Sequence, residues 1–444
     1  DPKGRTEGHV DSPHQGGHGP ERYDERWQKR QRVLNTLIVM LFIFRLVLSQ
    51  RSKGYGTVAS ELWAQCRRLG ISLPQAQPVG ASSLCKARHK IDEQLFLDLH
   101  REILKQEGEA FRWKGYRLFA VDGMKINLPR PLGKFGYPFP NQDCFYPQGL
   151  VSCLYRLHDK VPVDFSLTAH GCERTAAQAH LSAVGMGDLV VFDRGYFSFE
   201  MLYAMRRSGA HSLFRIPDNS ASDFQTFLDS NLDEAVISLT PSPSVRYQLV
   251  ASDPSQSCEA VAMRVIRYTL KGNGYLLATT LTETRNISHQ DLADLYHRRW
   301  EVEELYKISK EFIVIDEFHS KNERGVRQEL YAHFNLVALT RLFTIPGEEL
   351  VRDGVGNSGE NKFQQAVNFK NALAVVGHYL EELVLASNEM VTRAVDHVFE
   401  LICHTTSAVR PGRSFPRVSK KPLKKWARGK KEKKKIQSET EAKE

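Results

Sequence analysis

The sequence lacks the cysteine pattern of a secreted or zinc-binding protein. Its seven cysteines are odd in number and scattered, and no two of them form a C-x2-C pair. This argues against a zinc ribbon and a disulfide framework, and it suits a reducing, cytoplasmic compartment. The cysteines are Cys66, Cys85, Cys144, Cys153, Cys172, Cys258 and Cys403.

Long apolar runs are also lacking. The most apolar segment is Val33 to Leu48, and its longest uninterrupted run, Leu37 to Phe44, has eight residues. Because a bilayer span needs about twenty apolar residues, we expect a buried helix here and no membrane partner. No signal peptide is recognisable, and because residue 1 is Asp rather than Met we expect that the natural start is missing.

Positive charge is concentrated near the C-terminus. The 444 residues carry a net charge of +9, and Arg410 to Lys435 contains thirteen Lys or Arg against one Glu. That segment is therefore about +12, which leaves the remainder near −3. Basic tails of this kind bind nucleic acid non-specifically or are simply solvated. The rest, at 41% hydrophobic residues, can bury one large or two modest cores.

The segment Asp294 to Asp316 contains no Pro or Gly and predicts an unbroken helix of about six turns. One face of this helix consists of Tyr296, Arg299, Glu303 and Lys310, so that an acid lies between two cations. An apolar stripe beside that face, able to bury against a core, consists of Leu295, Val302, Tyr306 and Ile313. The plainer alternative is an amphipathic surface helix with i,i+4 ion pairs.

Two short apolar runs upstream each end in an aspartate. Leu118 to Val121 precedes Asp122, and Leu189 to Phe192 precedes Asp193. A buried strand that finishes in a carboxylate places that acid at the edge of a sheet, where α/β proteins keep their sites. We therefore expect both aspartates at strand ends.

These motifs together resemble a known family. The spacing Tyr-x2-Arg-x3-Glu-x6-Lys is similar to the signature of the DDE transposases of bacterial insertion sequences, in the group named for insertion sequence four. Asp193, Gly195 and Tyr196 match the second acid motif of that family, and Val121-Asp122-Gly123 resembles the first. The motifs stand in the family's order and cover about half of the chain.

The resemblance implies an α/β fold, with a ribonuclease-H-like catalytic core, a β-rich insertion, and helical regions on both sides. The periodicity agrees, because three strands in succession are followed by alternating helix and strand. The predicted core elements are strands at 117–121, 150–157, 161–168, 188–192 and 212–216, and helices at 173–184 and 199–207. The insertion is expected to hold strands at 244–250, 262–268 and 275–280, and the C-terminal region helices at 326–344 and 362–404.

The predicted division of the chain has seven parts. They are a disordered leader (1–24), an N-terminal helical and candidate DNA-binding domain (25–110), the first part of the core (111–216), the insertion (217–290), the helix with the third acid (291–320), a C-terminal helical region (321–405) and a basic disordered tail (406–444). Within the second part, Ser82 to Lys90 can offer cations to phosphate or be an ordinary solvated helix.

The resemblance implies a transposase that cuts the ends of its element and joins them to target DNA. Asp122, Asp193 and Glu303 would be the catalytic metal ligands, because divalent cations relieve the repulsion among three carboxylates. Oxygen ligands favour Mg²⁺ or Mn²⁺, and two ions can serve an in-line phosphodiester displacement. DNA would be the partner of a homodimer associated with the nucleoid.

Further residues have expected roles at the DNA. Tyr296, Arg299 and Lys310 would contact its backbone. Arg194 and Lys125 are weaker candidates that salt bridges to the neighbouring acids explain equally well. Some relatives hold a flipped base with a Trp in the insertion, but none stands between Tyr196 and Tyr296, which puts hairpin chemistry in doubt. Met124 replaces the small hydroxyl residue of many members.

A stand-alone metal-dependent nuclease and a catalytically idle DNA-binding derivative remain alternatives.

Overall fold

The computed structural model describes residues 33–49, 53–106, 111–169, 171–216, 222–255, 257–270, 273–283, 286–310, 315–353 and 363–410. The expected leader (1–24), nearly all of the basic tail and Ile313 lie outside these residues. In the described part, no helix combines the length and the apolar character that a bilayer span requires.

One large mixed sheet organises the chain. Its strands are β1 (Arg117–Asn127), β2 (Gln148–Arg156), β3 (Val161–Thr168), β4 (Asp188–Phe192), β5 (His211–Ile216), β6 (Glu234–Leu239), β7 (Val261–Leu270) and β8 (Asn273–Thr279). They lie in the order β3-β2-β1-β4-β5-β8-β7-β6. The pairs β1–β2 and β2–β3 are antiparallel, while β1–β4 and β4–β5 are parallel. The insertion strands extend this same sheet, because β8 pairs antiparallel with β5.

Helices cover both faces of the sheet. They are α1 (Thr36–Ser49), α2 (Tyr55–Arg68), α3 (Ala81–Lys90), α4 (Gln94–Lys105), α5 (Glu173–Ala179), α6 (Phe199–Ser208), α7 (Ser222–Leu228), α8 (Pro243–Ser252), α9 (His289–Arg298), α10 (Trp300–Ile308), α11 (Glu323–Arg352), α12 (Phe369–His378), α13 (Leu380–Leu385) and α14 (Asn388–His404). Two short strands, β9 (Gln365–Val367) and β10 (Thr406–Ala408), pair beside α11.

The alternation of β1 divides the core in two. Leu118 and Ala120 pack in one cluster with α1, α10 and α11, whereas Phe119 and Val121 pack in the other with α6. This is the expected behaviour of a strand buried on both faces, since successive side chains point in opposite directions. The predicted buried helix at Val33 to Leu48 is confirmed as α1, most of whose side chains are buried.

The predicted strands at 117–121, 161–168 and 188–192 are all present, but β1 is longer than predicted. It continues to Asn127, with Met124 and Ile126 buried and Lys125 and Asn127 exposed. The prediction that the first acid ends its strand is therefore wrong. Asp122 lies within β1, opposite Cys153 of β2.

Two other predictions are corrected. Residues 244–250 form part of α8 rather than a strand, because Ser242 caps the helix at Val245 and Pro243 occupies its first turn. The unbroken helix at 294–316 is interrupted at Arg299, where the backbone tightens to i→i−3 hydrogen bonds on both sides, and α10 ends at Ile308. The C-terminal segment 362–404 is likewise divided, into β9 and helices α12 to α14.

A buried ion pair joins the N-terminal helices to α11. Arg88 of α3, which is 3% exposed, forms a salt bridge of 2.7 Å with Glu329. Its other guanidinium hydrogen bonds go to the side chain of Gln328, the hydroxyl of Tyr55 and the backbone carbonyl of Gly325. Within the segment 82–90, this cation is therefore used for packing and is not offered to phosphate.

Arg88→Ala should destabilise the protein by about 3–5 kcal/mol, because it leaves the buried Glu329 carboxylate without its cation. Chemical unfolding followed by circular dichroism measures this loss. The control is Lys86→Ala, which removes an exposed cation from the same helix and should change the stability by less than about 0.5 kcal/mol. Equal stability of the two variants would show that the pair does not hold the two regions together.

Candidate active site

Parallel pairing brings the two aspartates to the same level of the sheet. The register of β1 and β4 pairs Ala120 with Val191, and Asp122 and Asp193 each follow two residues later. β4 ends at Phe192, so Asp193 lies just after the carboxyl end of this strand. The neighbouring β1 continues further. The expected position of the second acid at a strand end is confirmed.

The third acid, Glu303, lies on α10. Glu303 accepts a hydrogen bond of 2.8 Å from Arg299 Nη2, while Arg299 Nη1 lies 4.0 Å from Asp122 Oδ2. Arg299 is 4% exposed, and although burial opposes its charge, Asp193 and Glu303 are near enough to raise its pKa. One buried guanidinium therefore connects the three predicted acids.

Two tyrosines fix the positions of the aspartates. The hydroxyl of Tyr296 donates a hydrogen bond of 3.0 Å to Asp193 Oδ1, which also accepts one from the backbone N–H of Arg194. The hydroxyl of Tyr306 donates a hydrogen bond of 2.7 Å to the backbone carbonyl of Asp122. The helix pair α9–α10 is thus hydrogen-bonded to the middle of β1 and to the residue that follows β4, at the site itself.

The electrostatics of the site disfavour an ionised Asp122. Burial raises the pKa of Asp122 to about 6, and the negative charges of Glu303 and Glu173 add to this. The backbone N–H of Gly123 and the guanidinium of Arg299 oppose the shift without cancelling it. Burial, more than the charges of the neighbouring acids, therefore keeps the pKa of Asp122 above its ordinary value.

Glu173 is a site residue that the sequence analysis did not identify. It is the first residue of α5, and its side chain lies so close to Gly123 that a Cβ added there would come within 3.0 Å of Glu173 Cγ. Burial raises the pKa of Glu173, Lys125 opposes that rise, and the charge of Asp193 adds to it. An acid that opens the helix directly after the third strand was the available signal.

The other predicted residues lie as follows. Tyr296 and Arg299 are buried against the acids, while Lys310, Lys125 and Arg194 are exposed. The stripe residues Leu295, Val302 and Tyr306 are buried, which confirms that part of the helix prediction. The DNA contacts assigned to Tyr296, Arg299 and Lys310 stay predictions.

The donor set suits a hard divalent cation in its chemistry and its charge. The acids offer only oxygen atoms, and the buried hydroxyl of Tyr196 beside them has no hydrogen-bond partner among the described residues. In the same residues, however, no three His, Cys, Asp or Glu side chains are spaced to hold a metal ion together. Glu303 is paired with Arg299 instead, so this pair has to open before the three acids can share one cation.

The chain is similar to known proteins in sequence and in structure. Residues 113–339 match the family described as the transposase DDE domain. The chain is 24% identical over 369 residues to transposase InsG for insertion sequence element IS4 from Escherichia coli (strain K12), a match that covers 80% of this chain and 79% of that protein. A cryo-EM structure of the piggyBac transposase synaptic complex with hairpin DNA aligns with 91% of this chain and 85% of that one, at a TM-score of 0.44 and 9% identity.

Asp122→Asn should stabilise the protein at pH 7.5 by on the order of 1–3 kcal/mol, because it removes a carboxylate that the folded state holds unfavourably. The pKa of Asp122 in the folded protein, about 6, is above its ordinary value of 3.8. The folded state thus retains a proton that the unfolded state has released, and the stability of the parent protein falls as the pH rises from about 4 to about 6.

Thermal unfolding in the presence of EDTA, between pH 4 and pH 7.5, measures this effect. The advantage of Asp122→Asn should be largest at pH 7.5 and should shrink towards pH 4. Asp294→Asn, which changes an exposed acid on α9, serves as the control and should show no such trend. An advantage that does not depend on pH would contradict the assigned electrostatics.

Proposed function

Because this chain belongs to the family of transposases with a DDE domain, we propose that Asp122, Asp193 and Glu303 form the catalytic centre with which it cuts and rejoins DNA. The observation that carries the proposal is the position of Arg299. Its guanidinium lies 2.8 Å from Glu303 and 4.0 Å from Asp122, and it interacts electrostatically with Asp193. Acids that share one counter-ion are close enough to serve one reaction.

The chain is an enzyme that acts on DNA, as its family membership indicates. The proposed reaction has two steps at one centre. Water first attacks the phosphodiester at the element's end, and the P–O bond to the 3′-oxygen breaks, which leaves a 3′-hydroxyl. That hydroxyl then attacks a target phosphodiester and forms a new P–O bond as the target's own 3′-oxygen leaves. Neither step needs a covalent enzyme intermediate.

The family uses divalent metal ions, and we infer Mg²⁺ or Mn²⁺, with two ions, from the oxygen-only ligands. When bound, such ions activate the attacking oxygen and stabilise the leaving one. The chain's own residues prepare the site for them. Tyr296 orients Asp193, and Tyr306 fixes the backbone of Asp122. Arg299 balances part of the acids' charge and is placed to turn to a phosphate once Glu303 is released.

The strand order supports a ribonuclease-H-like core. Three consecutive antiparallel strands, β1 to β3, are followed by β4 and β5, which add in parallel on the other side of β1. The acids then lie on the central strand, directly after its parallel neighbour and on a late helix. We further propose that the helical region 25–110 contributes to DNA binding and that two copies act together at the nucleoid, one on each element end.

Asp193→Asn and Glu303→Gln should each lower the cleavage of DNA carrying the element's ends by at least about 100-fold, because each removes a metal ligand. DNA binding should stay largely intact. Cleavage and joining of labelled end DNA with Mg²⁺ measure the first effect, and mobility shifts measure the second. The control is Glu304→Gln, since Glu304 neighbours Glu303 but pairs with the exposed Lys307 instead of Arg299.

The parent protein separates the three candidate functions in the same assay. Joined products support a transposase, cut products alone support a nuclease, and a bound but intact duplex supports an idle DNA-binding protein. Full cleavage by Asp193→Asn would reject the assigned centre.

Removal of residues 410–444 should lower the affinity for duplex DNA and reduce its salt dependence, because fewer cations then displace counterions from the phosphates. Fluorescence anisotropy between about 50 and 200 mM salt measures both. A chain that lacks only residues 436–444 retains the thirteen basic residues and serves as the control. An unchanged salt slope after the longer deletion would show that the tail does not bind DNA.

A further inference from the structure

The connection between β1 and β2, residues 129–147, presents an unusual number of aromatic rings to solvent. Phe135, Phe139, Phe145 and Tyr146 are 58%, 42%, 56% and 43% exposed. They are four of the eight aromatic side chains with comparably high exposure among the described residues. We call this segment the aromatic loop. Clusters of exposed apolar side chains of this kind mark interaction surfaces.

The aromatic loop is firmly held at its base. Leu132 and Tyr137 are buried, and the hydroxyl of Tyr137 donates a hydrogen bond of 3.0 Å to Glu323 at the start of α11. Five of the chain's 19 prolines lie in this loop and restrict its backbone. Phe139 lies against Gly133, where a Cβ would come within 2.6 Å of its ring. The exposed rings therefore stand on a rigid support, which lowers the entropy cost of binding.

Cations accompany the rings. The guanidinium of Arg130 stacks 4.4 Å from the centre of the Phe145 ring. The rings of Phe145 and Tyr146 meet edge to face, with their centroids 4.9 Å apart. Lys134 is exposed within the loop, and Lys125 is exposed on β1 before it. Exposed rings alternating with cations are the surface that single-stranded nucleic acid binds, by base stacking and phosphate contact together. Paired bases in a duplex do not offer their faces in this way.

The loop lies in the direction in which the sheet extends beyond the acids. β4 ends at Phe192, level with Val121, whereas β1 continues past Asp122 for five more residues to Asn127. At about 3.4 Å per residue this carries the hairpin about 17 Å past the catalytic carboxylates. That distance corresponds to about five stacked base pairs. DNA that runs from the acids along the β1–β2 hairpin would reach the loop.

We propose that the aromatic loop binds unpaired bases of the DNA beside the cut site by stacking them on Phe145, Tyr146 and Phe135. The proposal rests on the proposed function for the identity of the ligand. It assigns to the loop a preference for DNA whose end is unpaired or melted. The phosphates next to those bases lie against Arg130 and Lys134.

The test uses the full chain carrying Asp193→Asn, so that DNA is bound and not cut. The probes are a 20-base-pair blunt duplex and the same duplex with a ten-nucleotide thymidine overhang containing one 2-aminopurine. Phe145→Ala should lower the affinity for the overhang probe about tenfold and reduce the quenching of 2-aminopurine, because one stacking ring is lost. The affinity for the blunt duplex should not change.

Two further variants separate stacking from folding. Phe145→Tyr keeps a ring and should bind both probes as the parent does. Tyr247→Ala removes a ring that is 77% exposed on α8, which is not part of this loop, and should leave both affinities unchanged. Thermal unfolding of each variant shows whether it is folded.

Equal losses on the overhang and blunt probes, or no loss on either, would overturn the proposal. A protein whose sedimentation shows a dimer without DNA, and a monomer after Phe145→Ala, would identify the loop as a contact between copies and would also overturn it. Because binding is measured without cutting, a failure of the catalytic assignment leaves this result readable. A failure here likewise leaves the cleavage assay unaffected.

Discussion

The site depends on one buried cation. Arg299 stands where α9 meets α10, and its guanidinium is the positive charge around which Asp122, Asp193 and Glu303 gather. Without it, three carboxylates at the edge of the sheet would repel one another and partly protonate. Even with it, the pKa of Asp122 stays near 6. In the protein alone, Arg299 thus offsets part of the negative charge of the three acids. The carboxylates still attract further cations.

The rest of the fold holds these charges in place. Parallel pairing of β1 and β4 sets the two aspartates side by side, and the tyrosines of α9 and α10 fasten the third acid's helix to both strands. The long helix α11 packs in the same core cluster as β1 and α10. Its Glu329 forms the buried ion pair with Arg88 of the N-terminal helices. The same sheet extends past the acids as the β1–β2 hairpin, so the catalytic edge and the aromatic loop belong to one rigid unit.

Much of this was predictable from the sequence, since buried strands and motif spacing are local signals. The strands at 161–168 and 188–192 and the buried stripe of Leu295, Val302 and Tyr306 were found in this way. Local alternation failed at 244–250, where the Ser242–Pro243 cap produces a helix. It also missed the last six residues of β1, although Met124 and Ile126 alternate there with Lys125 and Asn127. Partners distant in sequence, such as Arg88 with Glu329, depend on tertiary packing and leave no local signal.

The proposed function requires that three acids distant in sequence form one cation-binding centre. Crystals of the protein soaked in Mn²⁺ and measured at the manganese absorption edge test it most directly, because the anomalous signal locates the metal independently of any activity. A peak is expected between the carboxylates of Asp122, Asp193 and Glu303, with Arg299 turned away from Glu303. A protein that binds no manganese at these acids, or binds it with Glu303 still paired to Arg299, would show that the three acids do not form such a centre.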